Sequence, residues 1–457
     1  MKSYDVIWIG TGQATGTIVP RLVAAGKTVA IAEGGRVGGS CVNYGCTPTK
    51  TIVASARAAH MARRGADFGV MIPEFSIDFD KVMARMNKIR NGGSQGLEGW
   101  LAGMEGVDLY KAYAEFVDPH TVRVGDEVIA GETIVIHTGA RPRTPAISGL
   151  DQVDWLDNAR LLDLPELPQH LVVIGGSYIG MEFGQAFRRF GSEVTILDAG
   201  SQLMFREDAD IAQAAQEILE GEGIDVHLDV TVERVAQTDE GVEVFLNENG
   251  TKTVVRGSHL LVAAGREPNT DRLNLAAAGV ASTKRGYVTV NEVMQTNVPH
   301  IFAVGDVNGS GAFTHTSVND GEIFWDFYSG EGDRRRADRT VIYAMYIDPP
   351  LGRVGMSEKQ ARKSGRNILM ATRPMSRIAR AREKDETAGL VKILVDADSE
   401  QIVGATILGV GGDEIINMFA TFMQTGQSYK VFRRTVLAHP TVAELMPWIL
   451  DDLAPLT

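Results

Sequence analysis

The chain has 457 residues, 44% of them hydrophobic and 23% charged, with a formal net charge of −13. That length exceeds what one hydrophobic core serves, so two or three domains are expected, and the composition excludes a disordered or fibrous chain. The acidic balance argues against nucleic acid or an anionic membrane as a partner, and no stretch approaches the roughly 18–20 apolar residues needed to span a bilayer.

Residues 1–9 run from alternating to apolar residues straight into glycines, without the basic, apolar and cleavage regions of a secretory signal; a cytoplasmic address is expected. The run "YDVIWIGTGQATGTIVPRLVAAGKTVAIAE" (4–33) reads as strand, glycine turn, helix, strand and acid, and "HLVVIGGSYIGMEFGQAFRRFGSEVTILD" (170–198) repeats that plan. This is the βαβ unit whose turn brings backbone N–H groups to a pyrophosphate, with the terminal acid on a ribose hydroxyl. Gly10, Gly12 and Glu33 fill the first unit, with Thr15 at the third glycine position; Gly175, Gly180 and Asp198 fill the second, with Ser177 in the middle. One such turn alone often does no more than close a tight bend. The duplication, acids included, predicts two dinucleotides.

Between the two units lies "GGSCVNYGCTPTK" (38–50), with the only two cysteines, Cys41 and Cys46. Pro48 suits the first turn of a helix, and the N-terminus of that helix together with Lys50 favours a thiolate at Cys46. Three readings compete. A zinc site lacks a second pair of ligands, a structural disulfide would close a very small loop in a reducing compartment, and a catalytic dithiol meets neither objection.

Flanking the second unit, "TIVIHTGARPRTP" (133–145) and "TNVPHIFAVGDVNGSGAFTHTS" (296–317) each end an apolar strand at a glycine, Gly139 and Gly305, and Asp306 is placed for a polyol hydroxyl. The first domain therefore reads as interrupted: 1–150 and 270–335 enclose a second domain at 151–269. "GDRRRADRT" (332–340) reads as a polar link into a third, α+β domain at 336–457, with strand-like runs "AGLVKILVD" and "QIVGATILGV" and helical stretches from Gly412. That domain has no ligand loop of its own, which points to an interface role.

These motifs, in this order along nearly the whole chain, resemble the class I pyridine nucleotide–disulfide oxidoreductases, with "AAGREPN" (263–269), "AVGD" (303–306) and "HPTVAE" (439–444) added to those above. The resemblance implies an α/β fold of two Rossmann-like domains, for FAD and NAD(P), with a C-terminal dimerisation domain, and a homodimer. FAD would be held by the first unit with Ser40, Lys50, Ala114, Thr138, Gly139, Gly265, Asp306, Phe313 and Thr314. It implies Cys46 as the thiol beside the flavin and Cys41 as the thiol that meets substrate. Lys50 would pair with Glu182, and Tyr178 would cover the nicotinamide pocket. His439, oriented by Glu444, would handle the proton from the neighbouring subunit. No resident metal is implied.

Asp198 suits the 2′-hydroxyl of NADH and repels the 2′-phosphate of NADPH, so NADH is the expected donor, although Arg206 further on offsets this. For the acceptor, a small disulfide or a metal ion, the segments "GCTPTK" and "DPPLGRVGMSE" (348–358) look most like mercuric-reductase-like and reactive-chlorine-resistance flavoproteins. Mercuric reductases add a C-terminal cysteine pair and tend to carry Tyr in place of His439, whereas no cysteine follows Cys46. Dihydrolipoamide dehydrogenases more often have Ile where Tyr178 stands, and glutathione reductases replace Asp198 by basic residues. A low-turnover thiol sensor on the same fold is the alternative to an enzyme.

Overall fold

A computed structural model describes residues 1–248 and 250–456. The strand Lys2–Ile9 lies parallel between Val29–Ala32 and Glu127–Ile136, in register Val6↔Val29 and Ile9↔Ile136. Its apolar residues Val6, Ile7 and Trp8 have no solvent exposure. Unbroken apolar runs of this kind are what a parallel strand covered on both faces requires. Val107–Tyr110 extends the sheet on one side, Thr121–Val124 and Ala114–Asp118 turn back antiparallel on the other, and Ile301–Ala303 joins the far half of Glu127–Ile136.

Between those last two strands the chain builds a second parallel sheet in the order Asp225–His227, Glu193–Leu197, His170–Ile174, His259–Val262. An antiparallel three-stranded sheet, Val230–Thr238 with Gly241–Glu248 and Thr251–Gly257, packs beside it. The outgoing and returning segments, Ala140–Pro142 and Arg266–Pro268, pair with each other as a two-stranded ribbon. After residue 340 the chain forms a six-stranded antiparallel sheet backed by the helix Gly412–Gln424, which buries Ile416 and Phe419 against it. The mixed α/β architecture follows the sequence reading.

One stretch differs from that reading. Residues 332–340, expected as a polar, charged link, are tied to the preceding segments: Arg334 pairs with Asp326 and Glu322, Arg336 with Glu292, and Arg339 with the fully buried Asp320. Three of its four arginines are engaged in specific ion pairs, which composition alone cannot distinguish from a solvated link. Among the described residues, no helix is long and apolar enough to cross a membrane.

Candidate active site

The two glycine turns are built alike. Gly10 N–H donates to Ala32 at 2.8 Å and His137 N–H to Ile9 at 2.7 Å; Gly175 N–H donates to Leu197 at 2.8 Å and Ala263 N–H to Ile174 at 2.8 Å. Both leading glycines have positive φ, +107° and +115°, and a Cβ would lie 2.3 Å from the His137 carbonyl oxygen at Gly10 and 2.6 Å from that of Ala263 at Gly175. Only glycine fits either place. The acids close each turn from the neighbouring strand. Glu33 accepts from the Thr11 N–H at 2.9 Å and its hydroxyl at 2.5 Å, and Asp198 accepts from the N–H groups of Gly176 at 2.6 Å and Gly200 at 2.7 Å.

Thr15, read as a stand-in for the third glycine, is fully buried and turns its hydroxyl inward, where it accepts from the Trp8 indole N–H at 2.9 Å. The same hydroxyl donates to the Gly10 carbonyl at 3.3 Å, inside the turn. Beneath it His137 contacts Thr15 Oγ1 at 3.3 Å and Ser317 Oγ at 2.9 Å. Burial lowers the His137 pKa to about 3, so the ring is neutral.

Cys41 ends up in the short helix Gly39–Asn43 and Cys46 opens the long helix Cys46–Arg63, with Pro48 in its first turn as the sequence suggests. Asn43, fully buried, ties the intervening bend by donating to the carbonyls of Val37 and Gly39, both at 3.0 Å. Thr314, first residue of the helix Thr314–Ser329, brings its hydroxyl 2.9 Å from Cys41 Sγ and 3.5 Å from Cys46 Sγ. The Cys46 pKa falls to about 6: the Cys41 thiol is the largest cause, the Thr314 hydroxyl and the Lys50 charge add to it, and burial works against them. Cys41 is pushed well up by the same Cys46 contact and by burial. The sequence reading credited Lys50 and the helix end; the neighbouring thiol and Thr314 come ahead of Lys50. Sequence could not bring residue 314 to the cysteines.

One turn further along, Lys50 Nζ donates to Glu182 Oε2 at 2.7 Å. Burial alone would lower the Lys50 pKa, but the Glu182 carboxylate outweighs it and the ammonium is retained. Glu182 is held in turn by the Tyr346 N–H at 2.8 Å, and the Tyr346 ring lies under Lys50 Nζ at 4.8 Å. Tyr178, at the start of the helix Tyr178–Phe190, leans on Phe313 and Tyr343, each 6.0 Å between ring centroids, and burial raises its pKa to about 12. Tyr343 and Tyr346 carried no motif and were missed.

Several groups fit a flavin dinucleotide. Thr138 Oγ1 is buried with no hydrogen-bond partner among the described residues. Nearby in the fold, Asp306 has its pKa raised by burial, with Arg266 Nε 3.8 Å away opposing that shift. Gly139 and Gly265 have φ of +67° and +102°, Ser40 is exposed beside Cys41, and Ala114 begins the edge strand Ala114–Asp118 with its methyl in the core. A Cβ at Gly12 would strike the His137 ring at 2.6 Å, so the turn also leaves a cradle free of side chains.

His439 lies away from this cluster in the third domain. Its Nδ1 is 2.9 Å from Glu444 Oε2, and its side chain is 77% exposed. The structure joins the imidazole to its carboxylate but gives it no hydrogen bond to either cysteine of its own chain.

Residues 4–321 match the family described as pyridine nucleotide-disulphide oxidoreductase, and 341–450 match the dimerisation domain of that family. The chain is 38% identical over 452 residues to a probable pyridine nucleotide-disulfide oxidoreductase, RclA, of Escherichia coli K12, covering 97% of this chain and 98% of the relative. It is 32% identical over 443 residues to a mercuric reductase of Lysinibacillus sphaericus, covering 97% and 81%. Among solved structures it resembles a Cu(II) complex of the HOCl-induced flavoprotein disulfide reductase RclA from Escherichia coli, with a TM-score of 0.89, 36% identity and 99% of each chain covered.

Proposed function

Because the chain belongs to the pyridine nucleotide–disulfide oxidoreductases, FAD-dependent enzymes that pass electrons from a pyridine nucleotide through a disulfide to a disulfide or metal-ion acceptor, we propose that Cys41 and Cys46 are its redox couple. The observation that carries this is the shared Thr314 hydroxyl, within reach of both sulfurs, with the Lys50–Glu182 pair one turn beyond. FAD, when bound, supplies the group that takes a hydride from the nicotinamide and hands the electron pair to sulfur. Gly10, Gly12, Glu33, Thr138 and Asp306 would hold it, and Gly175, Gly180 and Asp198 would hold the nicotinamide dinucleotide. The domains would span 1–150 with 270–335, 151–269 and 336–457.

The protein's own residues then manage charge and protons. Lys50, Thr314 and Cys41 stabilise Cys46 as a thiolate, leaving Cys41 protonated until it attacks the acceptor. The proton released at Cys41 passes to the His439 imidazole of a second copy, oriented by Glu444. Asp198 favours NADH as donor, its carboxylate repelling a 2′-phosphate.

For the acceptor we propose Cu(II), two ions taking one electron each, since a thiolate pair suits the soft Cu(I) product; the likeness to a Cu(II)-bound relative supports this. A small disulfide is the second reading, favoured by the His439–Glu444 contact, because thiol–disulfide exchange needs a proton delivered whereas metal-ion reduction does not. The test is anaerobic steady-state oxidation of NADH and NADPH against Cu(II), Hg(II), lipoamide and glutathione disulfide. Turnover confined to disulfides and slowed about 10²- to 10⁴-fold by His439→Ala rejects the Cu(II) reading. Thiolate-to-flavin charge-transfer absorbance that persists in Cys46→Ser rejects the assignment of Cys46.

A further inference from the structure

The aromatic group behind Tyr178 is held more firmly than a packing contact requires. Tyr343 and Phe313 stack at 5.2 Å with planes 7° apart, and His315 stacks on Phe313 at 5.5 Å while its Nε2 donates to the Ile342 carbonyl at 2.6 Å. The Tyr343 hydroxyl donates to Glu207 Oε1 at 2.5 Å, and Arg353 Nη1 donates to Glu207 Oε2 at 2.6 Å. Glu207 has no exposed side chain and Arg353 only 4%. A buried ion pair is costly unless its partners are complete. Here the third partner is the ring on which Tyr178 rests.

We propose that Tyr343 is a positioning residue for the nicotinamide: anchored by Glu207 and Arg353, its ring holds Tyr178 in the resting place from which the nicotinamide must displace it. This builds on Tyr178 as the cover of the nicotinamide pocket. Tyr178 contacts Tyr343 and Phe313 in the resting arrangement, and leaving it forfeits both contacts. Apparent affinity for the dinucleotide is the intrinsic affinity scaled by the fraction of molecules with the cover displaced. Loosening the anchor therefore tightens apparent binding. Glu207 also closes the loop that begins at Asp198, whose Met204 N–H donates to the Gly176 carbonyl at 2.9 Å, so one loop spans the ribose end and the aromatic end of the site.

The test is anaerobic stopped-flow reduction of the FAD-loaded dimer by NADH, which separates the apparent Kd from the limiting rate. Tyr343→Phe keeps the ring and removes the hydroxyl that reaches both Glu207 and Tyr178; a hydrogen bond worth about 1 kcal/mol corresponds to an apparent Kd lowered about fivefold, with the limiting rate within about twofold. With Tyr343 intact, Glu207→Gln keeps an acceptor for its hydroxyl and should leave the apparent Kd near its original value, whereas Glu207→Leu, which removes the acceptor, should lower it as Tyr343→Phe does; a merely structural role predicts no such split. In a Tyr178→Ala background Tyr343→Phe should add nothing. An unchanged or raised Kd in Tyr343→Phe, or the same fivefold change without Tyr178, overturns the proposal. Tyr178→Ala with an unaltered Kd removes the cover itself, and the Tyr343 proposal with it.

Discussion

The two glycine turns solve one backbone problem with different side chains. His137 and Ala263 are equivalent positions: each donates its N–H to the strand that precedes the turn, and each carbonyl blocks a Cβ at the leading glycine. Under the first turn, His137, Thr15, Trp8 and Ser317 form a buried hydrogen-bonded group. Under the second there is an alanine, and the helix closes in by contact alone, with Gly180 so near that its Cβ would lie 2.0 Å from the Gly175 carbonyl oxygen. A turn can thus be shaped by polar underpinning or by absence of side chains. The first tolerates Thr at the third position because its hydroxyl is given a partner, and the second does not tolerate even a methyl.

The largest expected effect tests that last point. Gly180→Ala should destabilise the protein by about 3 kcal/mol, the upper end for overpacking against backbone, and raise the KM for the pyridine nucleotide while FAD content stays unchanged; denaturant titration and flavin absorbance read both. Next comes acid. The folded pKa of His137 is depressed to about 3 while the unfolded chain takes up a proton near 6.5, so its contribution is intact above that value and lost as pH falls below it. Denaturation at pH 7 and pH 5 should differ by about 2 kcal/mol on this account, and His137→Gln should flatten the difference. Asp198→Ala should reduce the NADH-over-NADPH ratio of kcat/KM by up to about tenfold, or about 1.4 kcal/mol; the ratio in the purified variant checks it. Smallest is Thr15→Val, about 1 kcal/mol, because the Trp8 N–H retains His137 Nδ1 at 3.3 Å as an alternative acceptor. A thermal melt at neutral pH suffices.

What could be read from sequence was local. The turns, their acids and the cysteine stretch lie within short windows, and period and spacing expose them. The Lys50–Glu182 pair came through resemblance. Thr314 at the sulfurs, His137 under Gly12, and Tyr343 on Glu207 join residues more than a hundred positions apart, and none belongs to a local pattern. The link at 332–340 reads as polar and charged, but which acids Arg334, Arg336 and Arg339 pair with lies outside any local pattern.

The paired segments Ala140–Pro142 and Arg266–Pro268 place the departure and return of the chain side by side, and the strand Ile301–Ala303 is added to the first sheet only after that return. During synthesis on the ribosome, residues Ile134–Ile136 of the waiting strand have no neighbour on that side until the whole inserted unit has emerged. An unpaired apolar strand edge invites wrong partners. Newborn chains stalled between these two points should therefore be the aggregation-prone species, and the speed with which the inserted unit folds sets how long the first sheet stays open.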